Sequence, residues 1–164
     1  MVKKSNINIA DLINSSSCFD LQFRRDVRRE RTGSPAYYRW KIQFVVTLPR
    51  QKMKDLIDVK KILRCGNITA SKDQARFSVQ KIEDISVLIV PFIKKIKLSG
   101  NKKNNFWLWQ KAVEIVYKNK GKKISDWEKS DLLTLIEIHK SNIKYKNKPK
   151  QSKWIEMAKL ILKP

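Results

Sequence analysis

Near its N-terminus the chain changes its hydrophobic period once, and abruptly. Ile9, Leu12 and Ile13 recur at i, i+3 and i+4 and make one apolar face of a short helix. Ala10, Asn14 and Ser15 keep another side of that helix short, so a second backbone could approach it. Ser15-Ser16-Ser17 then ends it, because serine hydroxyls compete for backbone hydrogen bonds. From Cys18 the period is two. Phe19, Leu21 and Phe23 alternate with Asp20, Gln22 and Arg24, the pattern of a half-buried strand. A helix that feeds without a linker into a strand constrains everything that follows.

The first strand runs from Phe19 to Val27, and Thr32-Gly33-Ser34-Pro35 turns the chain. A second strand covers Tyr37 to Leu48. Tyr38, Trp40, Ile42, Phe44 and Val46 lie on its apolar side, with Arg39, Lys41 and Gln43 on the other. Pro49 suits the first turn of a helix that carries Met53, Leu56, Ile57 and Leu63 to about Arg64, where Gly66 can end it. A second hairpin joins 67–71 to 76–79 around Lys72-Asp73. A third helix begins at Ile82, with Pro91 confining its regular part. The order is α-β-β-α-β-β-α. Beyond Gly100 the chain turns helical, with Phe106, Trp109, Ala112 and Val113 at helical spacing and Ser125 and Glu128 as a capping box. A Lys-rich linker, Asn142 to Lys153, leads to a last amphipathic helix at Trp154, Met157, Ala158 and Ile161. Residues 1–118 form the core with its following helix, and 119–164 a basic helical extension packed on the same domain.

Charge narrows the partners. Lys and Arg total 37 against 15 acids, a net charge of +22. Such a surplus repels itself and favours polyanions, nucleic acid before a membrane surface. No apolar run approaches the roughly 20 residues that span a bilayer. Met1-Val2-Lys3-Lys4, followed by polar residues, predicts no secretory signal. The abundance of Lys, Asn and Ile points to an AT-rich genome such as that of an organelle. Cys18 and Cys65 make no metal set and read as small buried hydrophobes. His139 is the one histidine and reads as structural or surface. There is no Walker motif and no nucleophile elbow. Trp107, Trp109, Trp127 and Trp154 read as core residues.

The opening stretch resembles the signature of the LAGLIDADG homing endonuclease and maturase family, in a degenerate single copy. Ile9, Ala10, Leu12 and Ile13 match its Leu, Ala, Leu and Ile, and Cys18-Phe19 matches the residues after its last Gly. Leu63 to Ile68, Val90-Pro91-Phe92 and Gly100-Asn101-Lys102-Lys103 fit later features, so the likeness covers about residues 5 to 118. It implies an α+β fold of αββαββα order, with an antiparallel saddle sheet and extra C-terminal helices. Departures stand at Asp11 (Gly in the family), Asn14 (first Asp), Ser16 (second Asp) and Ser17 (final Gly). In the family the second Asp holds the divalent metal that drives DNA cleavage. Asp20 is the one carboxylate near enough to assist, and its plainer reading is an ion pair with an Arg. The family's polar residue near the end of the second strand falls at Thr47 or Leu48. Its basic residue after the third helix falls at Lys97, Lys102 or Lys103.

No catalytic or metal-binding residue is assigned. Nucleic acid is expected to contact Arg24, Arg25, Arg28, Arg29, Arg31, Arg39, Lys41, Gln43, Arg76, Ser78, Lys102 and Lys103, where a twisted sheet can neutralise phosphates. The basic stretch Lys144 to Lys153 adds nonspecific contacts. The expected function is a catalytically inactive LAGLIDADG-derived protein that prefers RNA to DNA and needs no cofactor. It would serve as a mitochondrial or other organellar ribosomal or ribonucleoprotein component, beside ribosomal proteins, or as an intron maturase. The alternative is an active homing endonuclease, a homodimer that uses Mg²⁺ to cut both DNA strands. Asp11 at the close helix contact argues against tight pairing, because an unpaired buried carboxylate is costly.

Overall fold

A computed structural model of the chain describes residues 8–26 and 37–141. Helix α1, Ile9–Ser16, is capped by Asn8, whose side chain accepts from the Asp11 N–H. It passes straight into strand β1, Ser17–Asp26. Strand β2 follows at Tyr37–Pro49, so Pro49 closes a strand instead of opening a helix. A 3₁₀ turn, Arg50–Lys52, then leads into α2, Met53–Leu63. Strands β3, Asn67–Ala70, and β4, Gln74–Val79, form the expected second hairpin. The four strands order β1-β2-β4-β3 in one sheet, with the β2–β4 and β3–β4 pairs antiparallel.

The α2 exit differs from expectation. Arg64 takes the left-handed conformation at φ 59°, and Gly66 comes two residues later at φ 89°. A Cβ on Gly66 would lie 2.5 Å from the Phe77 ring and 3.0 Å from the Ser78 carbonyl. Gly66 is therefore required by close approach as well as by backbone conformation.

The third helical segment is broken as Pro91 demands. Short α3, Ile82–Asp84, gives way to a π turn at Ile85–Ile89 before α4, Val90–Lys94. Widening the turn accommodates a residue that cannot donate a backbone hydrogen bond. Helix α5 spans Gly100–Lys118. A 3₁₀ turn, Ile124–Asp126, precedes α6, Lys129–Ser141. Ser125 lies inside that turn, so it does not cap α6; the Glu128 carbonyl accepts the Leu132 N–H there instead. The linker at 142–153 and the last helix lie outside the described residues.

The described residues fall into two compact units, one within Met1–Asp20 and Gln43–Gln110, the other within Leu21–Ile42 and Lys111–Pro164. The first is built around Phe19. Its ring lies 5.7 Å from Phe44, 5.3 Å from Phe106 and 5.1 Å from Trp109, and Phe44 meets Phe77 at 6.4 Å. Ile13, Leu56, Ile85, Ile89 and Ile93 are buried in the same unit. Aromatic clusters of this kind carry much of a core's apolar burial.

The second unit packs Phe23 on Trp40 at 4.9 Å, with His139 edge-on to Trp40. His139 is buried, and its Nδ1 lies 3.0 Å from the Leu21 carbonyl, which makes it a structural and not a surface residue. Buried Asn119 donates to the Ile115 carbonyl and to Asp131, which also accepts from Lys118. Among the described residues no helix is long and apolar enough to cross a membrane.

Candidate nucleic-acid interface

The end of α1 is where the family signature would place its metal ligands, and it is rich in hydroxyls. Ser15 Oγ donates to the Asp11 carbonyl at 2.8 Å and lies 3.2 Å from Ser16 Oγ. Ser17 Oγ donates to the Ile13 carbonyl. The Lys102 ammonium donates to the Ser17 carbonyl and lies 5.8 Å from the centre of the Phe19 ring. A cation at a helix C-terminus is favourable, and over an aromatic face doubly so. Burial holds the Lys102 pKa below its ordinary value of 10.5.

Asn14 has a structural post. Its amide donates to the Ala10 and Lys97 carbonyls, while its Oδ1 accepts from the Ser99 N–H and hydroxyl. A carboxylate could accept from Ser99 but could not donate to Lys97. The neutral residue thus ties α1 to the segment before α5.

A divalent cation fits this end poorly. Ser15 and Ser16 offer neutral oxygens already engaged with helix carbonyls or each other, and the Lys102 ammonium repels a metal. Among the described residues no group of three or more His, Cys, Asp or Glu could hold one.

Asp20 is the nearest carboxylate along the chain, and it is 1% exposed. Strand alternation places it opposite Phe19 and Leu21, yet both sides of the strand are covered here. Gln43 Nε2 donates to Asp20 Oδ2 at 2.6 Å, and the Trp109 indole donates to the Asp20 carbonyl at 3.1 Å. Gln43 is 4% exposed, and its Oε1 has no hydrogen-bond partner among the described residues. The expectation of Gln43 on an outward cationic row is therefore corrected. Gln43 and neighbouring Val45 are buried, because this part of β2 is covered on both faces.

Several other expected contact residues reach solvent. The cross-strand register sets Arg76 opposite Thr47 and Thr69, and Ser78 opposite Val45 and Asn67, so these share one sheet face in the first unit. Arg76 is exposed and Ser78 half-buried, while Phe77 and Val79 point into the core. Lys103 is exposed, unlike Lys102, which is turned into the end of α1. In the second unit Arg24 and Arg39 are exposed and Lys41 is half-exposed; Arg24 Nε donates to Gln22 at 2.9 Å. The Arg25 side chain and residues Arg28, Arg29 and Arg31 lie outside the described residues, as does the stretch Lys144 to Lys153.

Two further expectations need correction. Trp107 is 57% exposed and is no core residue, whereas Trp109 is 2% exposed. Adjacent residues on a helix point about 100° apart, so one apolar face cannot take both. Cys18 and Cys65 are in no disulfide and are only half-buried. Burial, with Asp84 second, pushes the Cys65 thiol up to about 11, which keeps it protonated at neutral pH.

Residues 9–113 match the family model described as LAGLIDADG endonuclease. No curated protein matches the chain. Among solved structures, the homing endonuclease I-TnaI superposes with a TM-score of 0.69 at 15% identity, over 93% of this chain and 95% of that one. A point mutant of I-SmaMI gives 0.73 at 17% identity, over 93% of this chain and 50% of that one. The LAGLIDADG homing endonuclease I-LtrWI, bound to target DNA, gives 0.68 at 22% identity, over 87% and 47%. The chain thus spans about half of I-SmaMI and I-LtrWI but nearly all of I-TnaI. With its four-stranded antiparallel sheet, its single degenerate signature on α1 and a family match over most of its length, the chain belongs to the LAGLIDADG endonuclease family.

Proposed function

We propose that this chain is a LAGLIDADG-fold protein that binds nucleic acid, structured RNA in preference to DNA, and does not cut it. Its setting would be an organellar, in particular mitochondrial, ribosomal or ribonucleoprotein particle, or service as an intron maturase. The observation that carries this reading is the end of α1, where serine hydroxyls and the Lys102 ammonium stand in place of an anionic metal site. Losing a carboxylate removes metal-assisted cleavage but leaves phosphate binding, since the two draw on different residues. The charge of +22 supports contact with phosphates from several directions.

A second reading is an active homodimer that cuts DNA with Mg²⁺. It is favoured by the likeness to I-TnaI along nearly its whole length and to I-LtrWI bound to target DNA. Plasmid nicking separates the two. The first reading expects no products with Mg²⁺, and the second expects nicks that Asp20→Asn abolishes. Purification from the source cell adds the setting. Comigration with large RNA-containing particles supports the ribonucleoprotein role, and migration as a free dimer counts against it.

A further inference from the structure

A cavity of about 520 Å³ lies between the exit of α4 and the first turns of α5, within the first unit. Buried Ile93 and Phe106 line its interior, and Ile96 and Leu98 are half-buried in its wall. Trp107 stands at its edge with more than half of its surface exposed. Lys94, Lys97 and Lys103 are exposed around it, and Asn104 and Gln110 add two carboxamides. Among the described residues no carboxylate lines it.

An apolar floor beside an exposed indole takes a flat ring. Three ammonium groups take an anion, and carboxamides can both donate to and accept from the edge of a base. The cavity is within the range of small-ligand sites, roughly 300–1,000 Å³. Single-stranded nucleic acids are held by this combination of aromatic stacking and cationic contacts, and unpaired RNA bases are splayed onto such platforms. The opening turn of α5, which carries Lys103, adds the positive end of a 19-residue helix. An apolar protein segment would fill the floor but leave the three lysines without counterions.

We infer that this cavity is a second nucleic-acid site, which holds one unstacked nucleotide with its base against Trp107 and its phosphate on Lys97 and Lys103. It deepens the nucleic-acid reading above and rests on it for its biological ligand. It lies apart from the Arg76 face of the sheet in sequence and in its chemistry: the sheet face has no aromatic platform among the residues that flank Arg76.

The test uses the full chain labelled with ¹⁵N. The Trp107 indole signal is assigned through Trp107→Phe and followed during titration with AMP, adenosine and ribose 5-phosphate. AMP should shift it saturably, adenosine more weakly, and ribose 5-phosphate scarcely at all. Lys97→Gln with Lys103→Gln should weaken AMP several-fold and leave adenosine unchanged. Affinity for a single-stranded RNA should fall roughly 5- to 100-fold in Trp107→Ala and recover in Trp107→Phe. An indole signal unmoved by millimolar AMP overturns the site, as does one moved by an acidic, Phe-containing peptide but not by AMP. If AMP shifts Trp107 while structured RNA binds no tighter than duplex DNA, the site stands and the RNA preference falls.

Discussion

Each of the two units holds a carboxylate against a carboxamide, and the two pairs differ in what surrounds them. In the first unit Asp20 takes a 2.6 Å hydrogen bond from Gln43, and both side chains are almost wholly buried. In the second unit Asp131 takes a 3.1 Å hydrogen bond from buried Asn119 and another from half-exposed Lys118. The first pair is an internal strut and the second a surface clasp. The end of α1 presents hydroxyls, the Asn14 carboxamide and the Lys102 ammonium, with no such pair among the described residues. The same pairing of groups thus does different work according to whether water reaches it. Asp20 links β1 to β2 from within through the hydrogen bond it accepts from Gln43.

The largest effect is expected at the strut. Asp20→Leu should cost about 3 kcal/mol, because it leaves the Gln43 amide buried with both its polar atoms unserved. Chemical denaturation measures it. Adding Gln43→Leu should recover most of that loss, since replacing both partners of a buried hydrogen bond is nearly neutral. Failure to recover would mean that the pair is not what holds the two strands together.

The next effect is smaller. Lys102→Met should cost about 1 kcal/mol by uncapping α1 and leaving the Phe19 face. Its pH signature is specific. The Lys102 pKa is lower folded than unfolded, so the unfolded chain binds more protons in the window below 10.5. Stability should therefore rise with pH through that window in the parent protein, and this component of the slope should vanish in Lys102→Met.

The smallest effect belongs to the clasp. Hydrogen bonds from Asn119 and then Lys118 hold the Asp131 pKa below its ordinary 3.8. Its contribution is present above that value and lost as pH falls through the folded pKa. Acid unfolding of Asp131→Asn should begin from a slightly less stable protein and show a shallower dependence below pH 3.8.

Much of the fold was legible because it is written in periods. The helix-to-strand switch at Ser17, the core positions Phe19, Leu21 and Phe23, and the β3–β4 hairpin follow from spacing alone. Periodicity failed where a strand is covered on both faces. Alternation puts Asp20 and Gln43 in water, and only tertiary packing reveals that they are buried together. It failed again at Trp107 and Trp109, where two neighbouring indoles take opposite fates. The Lys102–Lys103 pair shows the same limit. One ammonium caps a helix and the other reaches solvent, a distinction of about 100° of helix rotation that composition cannot carry. Asn14 and Ser16 could be named as departures from the sequence, but the links from Asn14 to Lys97 and Ser99 needed the structure.

Binding and cleavage measured together on one preparation test the account most directly. The full chain is titrated at one fixed salt concentration against structured RNA and duplex DNA, each with and without Mg²⁺, and every sample is then resolved for strand breaks. Tighter binding to RNA and intact strands throughout are expected, with weaker binding when the series is repeated at a higher salt concentration. Mg²⁺-dependent cuts in the DNA, lost in Asp20→Asn, would contradict it.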